Sequence, residues 1–229
     1  MQVQENIPLA PYTTFKIGGP AKFFTIVKNV SEIKQALTFA KEKGLQIFFL
    51  GGGSNVLFSD KGFNGLVIKL ENSGIETIEE NDNNVLLKIA SGENWDKVVE
   101  LAVKNNWWGI ENLSHIPGSC GAIAVQNVGA YGQEASQIIE SVGVFDIKNL
   151  QVGVLANKDC NFSYRKSVFN TEGKGRYILL ELTIKLNKNP KPNLTYRDLN
   201  LIFQSKMPDI VEIRNAIIKI RDKKYPYPT

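Results

Sequence analysis

The sequence is poor in the residues from which metal sites and disulfide frameworks are built. It contains one histidine, His115, and two cysteines, Cys120 and Cys160, which stand far apart and form no CxxC pair. A structural zinc site needs about four such ligands at short spacings. We therefore expect no metal, and reduced thiols as in cytoplasmic proteins. Because His115 has no histidine partner for a proton relay, we expect it to be structural or solvent-facing rather than catalytic.

Strong charge of one sign and long hydrophobic runs are also missing. The formal net charge is only +4 and no block of lysine and arginine stands out, so a nucleic acid partner is not expected. No apolar run approaches the ~20 residues of a membrane span. Residues 1–19 lack the basic start and apolar core of a signal peptide. We expect a cytoplasmic, monomeric protein with no membrane partner.

What remains is the composition of an ordinary globular protein. The chain has 229 residues, of which 43% are hydrophobic and 22% are charged. This length suffices for one large domain or two small ones with a sizeable core.

Residues 1–72 have the pattern of a small α/β subdomain. Strands are predicted at residues 21–27, 46–50 and 65–70 from their apolar, β-prone runs. Between the first two, Ser31 is the expected N-cap of a helix that stops at Gly44. Its inner face is expected to carry Ile33, Ala36, Leu37 and Ala40.

Residues 73–188 have the pattern of a second, α+β subdomain. A hairpin is predicted from residues 75–80 and 85–91 around the turn at 81–84. Asn94 is the expected N-cap of a helix with Val98, Leu101 and Ala102 inside. Further strands are predicted within residues 135–147, 149–157 and 177–186. Residues 189–229 are expected to form a connector with a helix over residues 208–224, since Pro208 and early acidic residues favour its start.

Two glycine-rich segments interrupt these patterns. GGGSNVLF, residues 51–58, follows a predicted strand, and its backbone N–H groups suit an anion, although it is neither a P-loop nor a GxGxxG motif. IPGSCGAIAVQNVGAYG, residues 116–132, is uncharged and rich in small residues. Because glycine costs conformational entropy on folding, such clusters indicate close backbone approach to a phosphate or a flat ring. A glycine-rich surface loop is the alternative.

Four motifs in order resemble the UDP-N-acetylenolpyruvoylglucosamine reductase family: GGGSNVLF, ENLSHIPGSCGAIAVQNVGAYG, CNFSYRKSVF and LTYRDL. The resemblance implies an α+β, two-subdomain FAD-binding fold of the vanillyl-alcohol oxidase and p-cresol methylhydroxylase type. It also implies an NADPH-dependent flavoenzyme of cytoplasmic peptidoglycan precursor synthesis. Its substrate is a UDP-sugar enolpyruvate, which the family reduces to UDP-N-acetylmuramate with hydride passed from NADPH through the flavin.

The resemblance assigns the cofactor to the two glycine-rich segments. The first is expected at the pyrophosphate, through its N–H groups and the Ser54 hydroxyl. The second is expected at the flavin and the neighbouring diphosphate, where Gln126 and Asn127 either satisfy polar edges of the ligand or brace the loop. FAD is expected to be non-covalent, with Cys120 a small packing residue and His115 a neighbour of the cleft. The expected contacts are Gly51, Gly52, Gly53, Ser54, Asn55, Pro117, Gly118, Ser119, Gly121, Ala122, Gln126, Asn127, Gly129, Ala130, Tyr131 and Gly132.

The same resemblance assigns substrate residues. Arg165 is expected to face the substrate carboxylate and to stabilise the negative charge that develops beside it. Tyr164 is expected to orient Arg165 or line the pocket, and Tyr196 and Lys224 to contact the substrate diphosphate. Without the resemblance, a surface salt bridge is the favoured reading of Arg165.

The sequence departs from the family after Lys224. The family continues with a Gly-Ser-Phe-Phe-Lys-Asn-Pro segment, whose serine is the general acid, and with a later glutamate; neither has a counterpart here. Loss of a general acid typically costs ~10²–10⁴-fold in rate. Two hypotheses follow: an incomplete reductase, in which we expect poor turnover, or an FAD-binding module without turnover.

Overall fold

Two β-sheets organise the chain, one formed by residues before 71 and the other by residues after 74. They are seen in a computed structural model, which describes residues 1–204 and 206–225. The first sheet has the order β1-β2-β4-β3, with β1 antiparallel to β2 and the other pairs parallel. The strands are Val3–Pro8 (β1), Pro20–Val27 (β2), Gln46–Leu50 (β3) and Phe63–Leu70 (β4). β1 was not predicted, because its exposed polar residues hide the alternation of a strand.

Helix α1, Val30–Glu42, connects β2 to β3 and packs on this sheet. Ile33, Ala36 and Ala40 are buried as expected, and Gly44 has the left-handed backbone (φ +61°) that favours glycine after a helix. The predicted N-cap is wrong by two residues. Asn29, not Ser31, caps the helix, since its side chain accepts a hydrogen bond from the N–H of Glu32.

The second sheet is antiparallel, with the order β10-β9-β11-β6-β5. Its strands are Ile75–Glu80 (β5), Asn84–Ala90 (β6), Ile139–Asp146 (β9), Gln151–Ala156 (β10) and Tyr177–Asn187 (β11). The predicted hairpin is confirmed, because β5 and β6 pair across residues 81–83. That the two subdomains divide at residue 72 stays a prediction.

Helix α2, Trp95–Lys104, covers this sheet and is capped by Asn94 as predicted, with the N–H of Lys97 as donor. Its buried face is formed by Trp95, Val98, Val99, Ala102 and Val103. Leu101 is only half-buried, so the expected inner face is rotated by about one position.

The second glycine-rich segment is more ordered than the expected loop. Residues Cys120–Val125 form a short helix, α3, and Gly129–Ala130 (β7) pairs with Gln133–Glu134 (β8) in a small hairpin. Gly121 lies directly on Ser91: a Cβ at position 121 would be 2.8 Å from the Cβ of Ser91. Small residues therefore let α3 lie close to the end of β6.

The last two helices are Arg197–Phe203 (α4), which was not predicted, and Ile210–Lys224 (α5). The helix predicted from Pro208 begins two residues later. Asp209 is its N-cap and forms a reciprocal capping box with Glu212. None of the helices in residues 1–204 and 206–225 is long and apolar enough to cross a membrane.

An ion pair fixes α5 to α2. Arg214 donates two hydrogen bonds to Asp96, at 2.7 and 2.9 Å, and the backbone N–H of His115 donates a third at 2.6 Å. Burial disfavours the charged carboxylate, but these hydrogen bonds outweigh it and hold the pKa of Asp96 below its usual value. The pair therefore stabilises the fold above the unfolded-state pKa of Asp96, and this contribution is lost as pH falls through the lower folded-state pKa.

Replacing Asp96 by Asn should lower the free energy of unfolding by about 1–3 kcal/mol at neutral pH, since Arg214 loses its charged partner. Thermal unfolding of both proteins between neutral and acidic pH measures this. The difference should shrink as pH falls through the folded-state pKa of Asp96. Glu100→Gln removes the exposed pair with Lys104 on the same helix and should change stability by less than about 0.5 kcal/mol. An equal loss in both variants would contradict the role of Asp96.

Candidate active site

The two glycine-rich segments meet each other. The Ser54 hydroxyl donates to the carbonyl oxygen of Pro117 at 3.0 Å. The Asn55 side-chain amide donates to Gln126 Oε1 at 3.0 Å. The turn that follows β3 is thus fixed to the segment that contains α3.

Close contact explains the glycines. A Cβ at Gly52 would lie 2.6 Å from the Cα of Gly118, and one at Gly51 would lie 2.6 Å from the Ser119 hydroxyl. Gly53 has φ +68°, and a Cβ there would lie 2.0 Å from the carbonyl oxygen of Tyr12. Contacts within the protein therefore require glycine at these positions, whether or not a ligand is bound.

A cleft of about 370 Å³ opens beside this contact. Apolar side chains such as Leu50, Val125 and Ile178 form part of its wall. Of the residues assigned to the cofactor, Gly51, Gly52, Gly53, Ser54, Asn55, Pro117, Ser119, Gly121, Ala122 and Gln126 line it. Gly118 adjoins it through its contacts with Gly52 and Ser54.

Backbone donors are available at this cleft. Within residues 1–204 and 206–225, the N–H groups of residues 52–55 and of Gly118 and Ser119 have no protein acceptor. The N–H groups of Cys120 and Gly121 differ, because they donate to the carbonyl oxygens of Glu93 and Ser91. Backbone donors seek acceptors strongly, and a diphosphate supplies them. The Ser54 hydroxyl has its hydrogen on Pro117, so it must rotate to donate to a ligand.

Asn127 lies away from this cleft as a brace. It is buried, and its amide donates to Glu134 Oε2 at 2.9 Å and to the carbonyl oxygen of Ser163 at 3.0 Å. Its Oδ1 accepts from the N–H of Ser136. These are the contacts expected of Asn127 if it braces the loop. They connect the glycine-rich segment to the turn that contains Arg165.

A second cleft, of about 480 Å³, lies at the β7–β8 hairpin. It brings together all four residues expected at the substrate, Tyr164, Arg165, Tyr196 and Lys224, which come from three separate parts of the chain. Gly129, Ala130, Tyr131 and Gly132, which were expected at the cofactor, line this second cleft and not the first.

Arg165 occupies a tight turn at the mouth of the second cleft. Ser163 and Lys166 exchange backbone hydrogen bonds at 3.0 Å, and Arg165 between them has φ +57°, a left-handed conformation uncommon for this residue. Its guanidinium donates to the carbonyl oxygen of Gly129 at 2.7 Å. In the described part of the chain no carboxylate forms a salt bridge with Arg165, so the surface ion pair is not found.

Tyr131 also lines the second cleft. Its ring packs edge-on against Tyr196, with centroids 5.1 Å apart, and burial raises its pKa. Arg221 hydrogen-bonds the Tyr131 side chain. Lys224 donates to Asp198 at 2.5 Å, and this hydrogen bond raises the pKa of Lys224, so the amine stays charged at neutral pH.

Sequence reasoning missed Arg221 and Tyr225, which also line the second cleft. The available signal was helical spacing. Arg221 precedes Lys224 by one turn on α5 and therefore shares its face.

The remaining candidates are not reactive centres. Cys120 is buried, and burial raises the pKa of its thiol well above the ordinary value, so it is not a nucleophile at neutral pH. The imidazole of His115 lies 3.0 Å from the carboxylate of Asp222. No cluster of metal-ligating side chains occurs among the described residues.

The chain matches known proteins along its length. Residues 21–149 match the family model of an FAD binding domain. A UDP-N-acetylenolpyruvoylglucosamine reductase of Amoebophilus asiaticus is 38% identical over 100% of this chain and 68% of its own length. The chain belongs to the UDP-N-acetylenolpyruvoylglucosamine reductase family.

Other reductases of the family agree in extent. That of Neisseria meningitidis serogroup A is 38% identical over 99% of this chain and 66% of its own length. The chain thus spans about two thirds of the length of these relatives.

Solved structures confirm the fold. The family's reductase from Thermus caldophilus superposes with a TM-score of 0.72 at 24% identity, over 97% of this chain and 70% of that chain. p-Cresol methylhydroxylase superposes with a TM-score of 0.55 at 15% identity, over 80% of this chain and 39% of that chain. The expected fold class is therefore confirmed. The FAD binding domain and the family together establish FAD as the cofactor of this chain.

Gly52→Val should weaken FAD binding by at least about tenfold, because the added side chain must displace Gly118 and separate the two loops. Fluorescence titration of the apoprotein with FAD measures this. Gly153→Ala in β10 is the matched glycine control, since nothing lies within 4 Å of its Cβ position. Unchanged FAD affinity in Gly52→Val would show that the loop contact does not shape the cofactor site.

Acid precipitation should release all of the flavin into the supernatant, because the Cys120 thiol is buried and protonated. Absorbance of supernatant and pellet measures this directly. Flavin retained in the pellet would contradict non-covalent binding, and loss of that fraction in Cys120→Ala would identify the attachment site.

Proposed function

We propose that this chain takes part in the NADPH-dependent reduction of UDP-N-acetylglucosamine enolpyruvate to UDP-N-acetylmuramate, a step of peptidoglycan precursor synthesis in the cytoplasm. One observation carries the proposal: Tyr164, Arg165, Tyr196 and Lys224 line a single cleft at the end of the second glycine-rich segment. Convergent polar side chains of this kind at a cleft favour a binding site for a polar ligand.

The first cleft fits FAD. The backbone N–H groups of residues 52–55, 118 and 119, which have no acceptor in the described part of the chain, suit the diphosphate. Apolar walls from Leu50, Val125 and Ile178 suit the flavin ring. When FAD is bound there, it would supply hydride transfer from NADPH to the enolpyruvyl carbon.

Arg165 is proposed to bind the substrate carboxylate. Its guanidinium is held by Gly129, and its turn is held by Asn127, so it is oriented before the ligand arrives. A guanidinium keeps its proton near neutral pH, so Arg165 stabilises charge but does not protonate the product.

Arg221, Lys224 and Tyr196, here called the cationic wall, line the second cleft and suit a diphosphate. Lys224 and Arg221 contribute two cations, and Tyr196 contributes a hydroxyl that is accessible at 41% exposure of the residue. Charge-assisted hydrogen bonds of this kind are strong and favour anionic oxygens. The UDP end of the substrate is therefore assigned to this wall, and the enolpyruvyl end to Arg165.

Ser167, two residues after Arg165, does not serve as a proton donor at the cleft. Ser167 is buried, and its hydroxyl donates to the carbonyl oxygen of Val125 at 2.6 Å. Tyr164 is 78% exposed and lines the cleft, so it is the hydroxyl to test there.

Anaerobic mixing of the FAD-loaded chain, first with NADPH and then with the enolpyruvyl sugar nucleotide, tests the proposal through flavin absorbance. Bleaching by NADPH followed by substrate-dependent recovery supports the reductase. Bleaching without recovery supports the alternative, an FAD-binding module without turnover. No effect of either compound would contradict the proposed function.

Arg165→Met should slow substrate-dependent recovery by about 10²–10³-fold, because the positive charge at the developing anion is lost. FAD binding should change less than twofold. The adjacent Lys166→Met removes a cation from the same turn but does not line the cleft, so it should leave recovery unchanged. Equal recovery rates in wild type and Arg165→Met would exclude Arg165 from the reaction.

A further inference from the structure

The two cations of the second cleft, Arg221 and Lys224, lie on the part of α5 that has the fewest buried apolar side chains. The first half of α5 packs on the core through three buried side chains, Ile210, Ile213 and Ile217, whereas Ile220 is only partly buried. Arg221 and Lys224 follow, in the final turn. Helix ends lack internal hydrogen bonds and fray unless other contacts restrain them.

His115 supplies such contacts. Its backbone carbonyl accepts a hydrogen bond from Arg221 Nε at 2.9 Å, and its imidazole lies 3.0 Å from Asp222 Oδ1. Its own N–H donates to Asp96, which also holds Arg214. His115 thus contacts the end of α5 directly and is linked to Arg214, in the first half of α5, through Asp96.

The backbone of His115 is in an unusual conformation. Its φ is +60°, a left-handed value that a residue with a bulky side chain seldom adopts. Glycine would meet this requirement without strain but would provide no imidazole. Histidine at this position makes the contact with Asp222 that glycine could not make.

The position of His115 connects the two clefts. It immediately precedes Ile116 and Pro117, which line the first cleft, whereas Arg221 lines the second. We propose that His115 is a positioning residue that holds the last turn of α5, and with it Arg221 and Lys224, against the loop that forms the cofactor cleft. The identity of the ligand, a nucleoside diphosphate, rests on the proposed function. The contacts by which His115 holds the last turn of α5, here called the clamp, do not depend on it.

The test uses His115→Gly, which keeps the left-handed backbone and both backbone hydrogen bonds and removes only the imidazole. Amide hydrogen exchange is measured on the FAD-loaded chain. Protection of residues 218–225 should fall by about fivefold, which corresponds to ~1 kcal/mol for a partly exposed pair, while residues 210–217 stay unchanged. Asp222→Asn should give a similar fall, and the double variant should lose no more than either single variant.

Leu150→Gly is the matched control. Leu150 also has a left-handed backbone, with φ +55°, but lies in the turn between β9 and β10. This variant should leave exchange in α5 unchanged. Unaltered protection of residues 218–225 in His115→Gly would overturn the proposal.

Calorimetric titration with UDP separates the clamp from the function. UDP should bind about fivefold more weakly to His115→Gly than to the wild type, while FAD affinity changes less than twofold. Equal UDP affinity in the two proteins would overturn the link to the cationic wall. If UDP fails to bind the wild type while the exchange result holds, the clamp stands and the ligand assigned under the proposed function is wrong.

Discussion

The contact between the two glycine-rich loops is the constraint on which the site depends. The turn of residues 51–55 and the segment before α3 approach so closely that a single Cβ at Gly52 would collide with the backbone of Gly118. This approach, with the hydrogen bond from Ser54 to Pro117, joins the first sheet to the second. Beside an apolar cleft it leaves a row of backbone N–H groups that have no acceptor among the residues the structure describes. Glycine is therefore selected here by packing between the chain's own segments as well as by the ligand.

Polar braces fix the side of the second cleft that contains Arg165. Asn127 links Glu134, Ser136 and the Arg165 turn from a buried position. Beneath the β7–β8 hairpin, the buried carboxyl of Glu111 accepts from the Gln133 side chain, and burial raises the pKa of Glu111. Buried hydrogen bonds of this kind are costly to break, so they fix the geometry of an exposed arginine.

Sequence reasoning reached the sheets and helices whose patterns are local. The hairpin of β5 and β6, the Asn94 cap and the long strand β11 followed from periodicity and turn residues. It missed β1, because a polar edge strand has no apolar alternation. It placed the N-cap of α1 at Ser31 because Asn29 and Ser31 are both helix-capping residue types, and it began the last helix two residues early, at Pro208.

For the site, the structure divides the expected residues between two clefts, and this division differs from the expected one at Gly129–Gly132. Residues Gly129–Gly132 were grouped with the cofactor, since they continue the same glycine-rich segment. The β7–β8 hairpin turns them into the second cleft instead. Arg221 was not anticipated, because its location depends on how α5 packs against α2 and the loop at His115. Helical spacing puts Arg221 on the same face of α5 as Lys224, but the tertiary contact with His115 that fixes Arg221 leaves no periodic signal in the sequence.

A crystal structure of the FAD-loaded chain tests the central claim most directly. We expect the FAD diphosphate to lie against the backbone N–H groups of residues 52–55, 118 and 119, and the flavin edge to be directed toward the cleft that contains Arg165. An FAD diphosphate bound at Arg221 and Lys224, or a flavin ring directed away from Arg165, would contradict this arrangement.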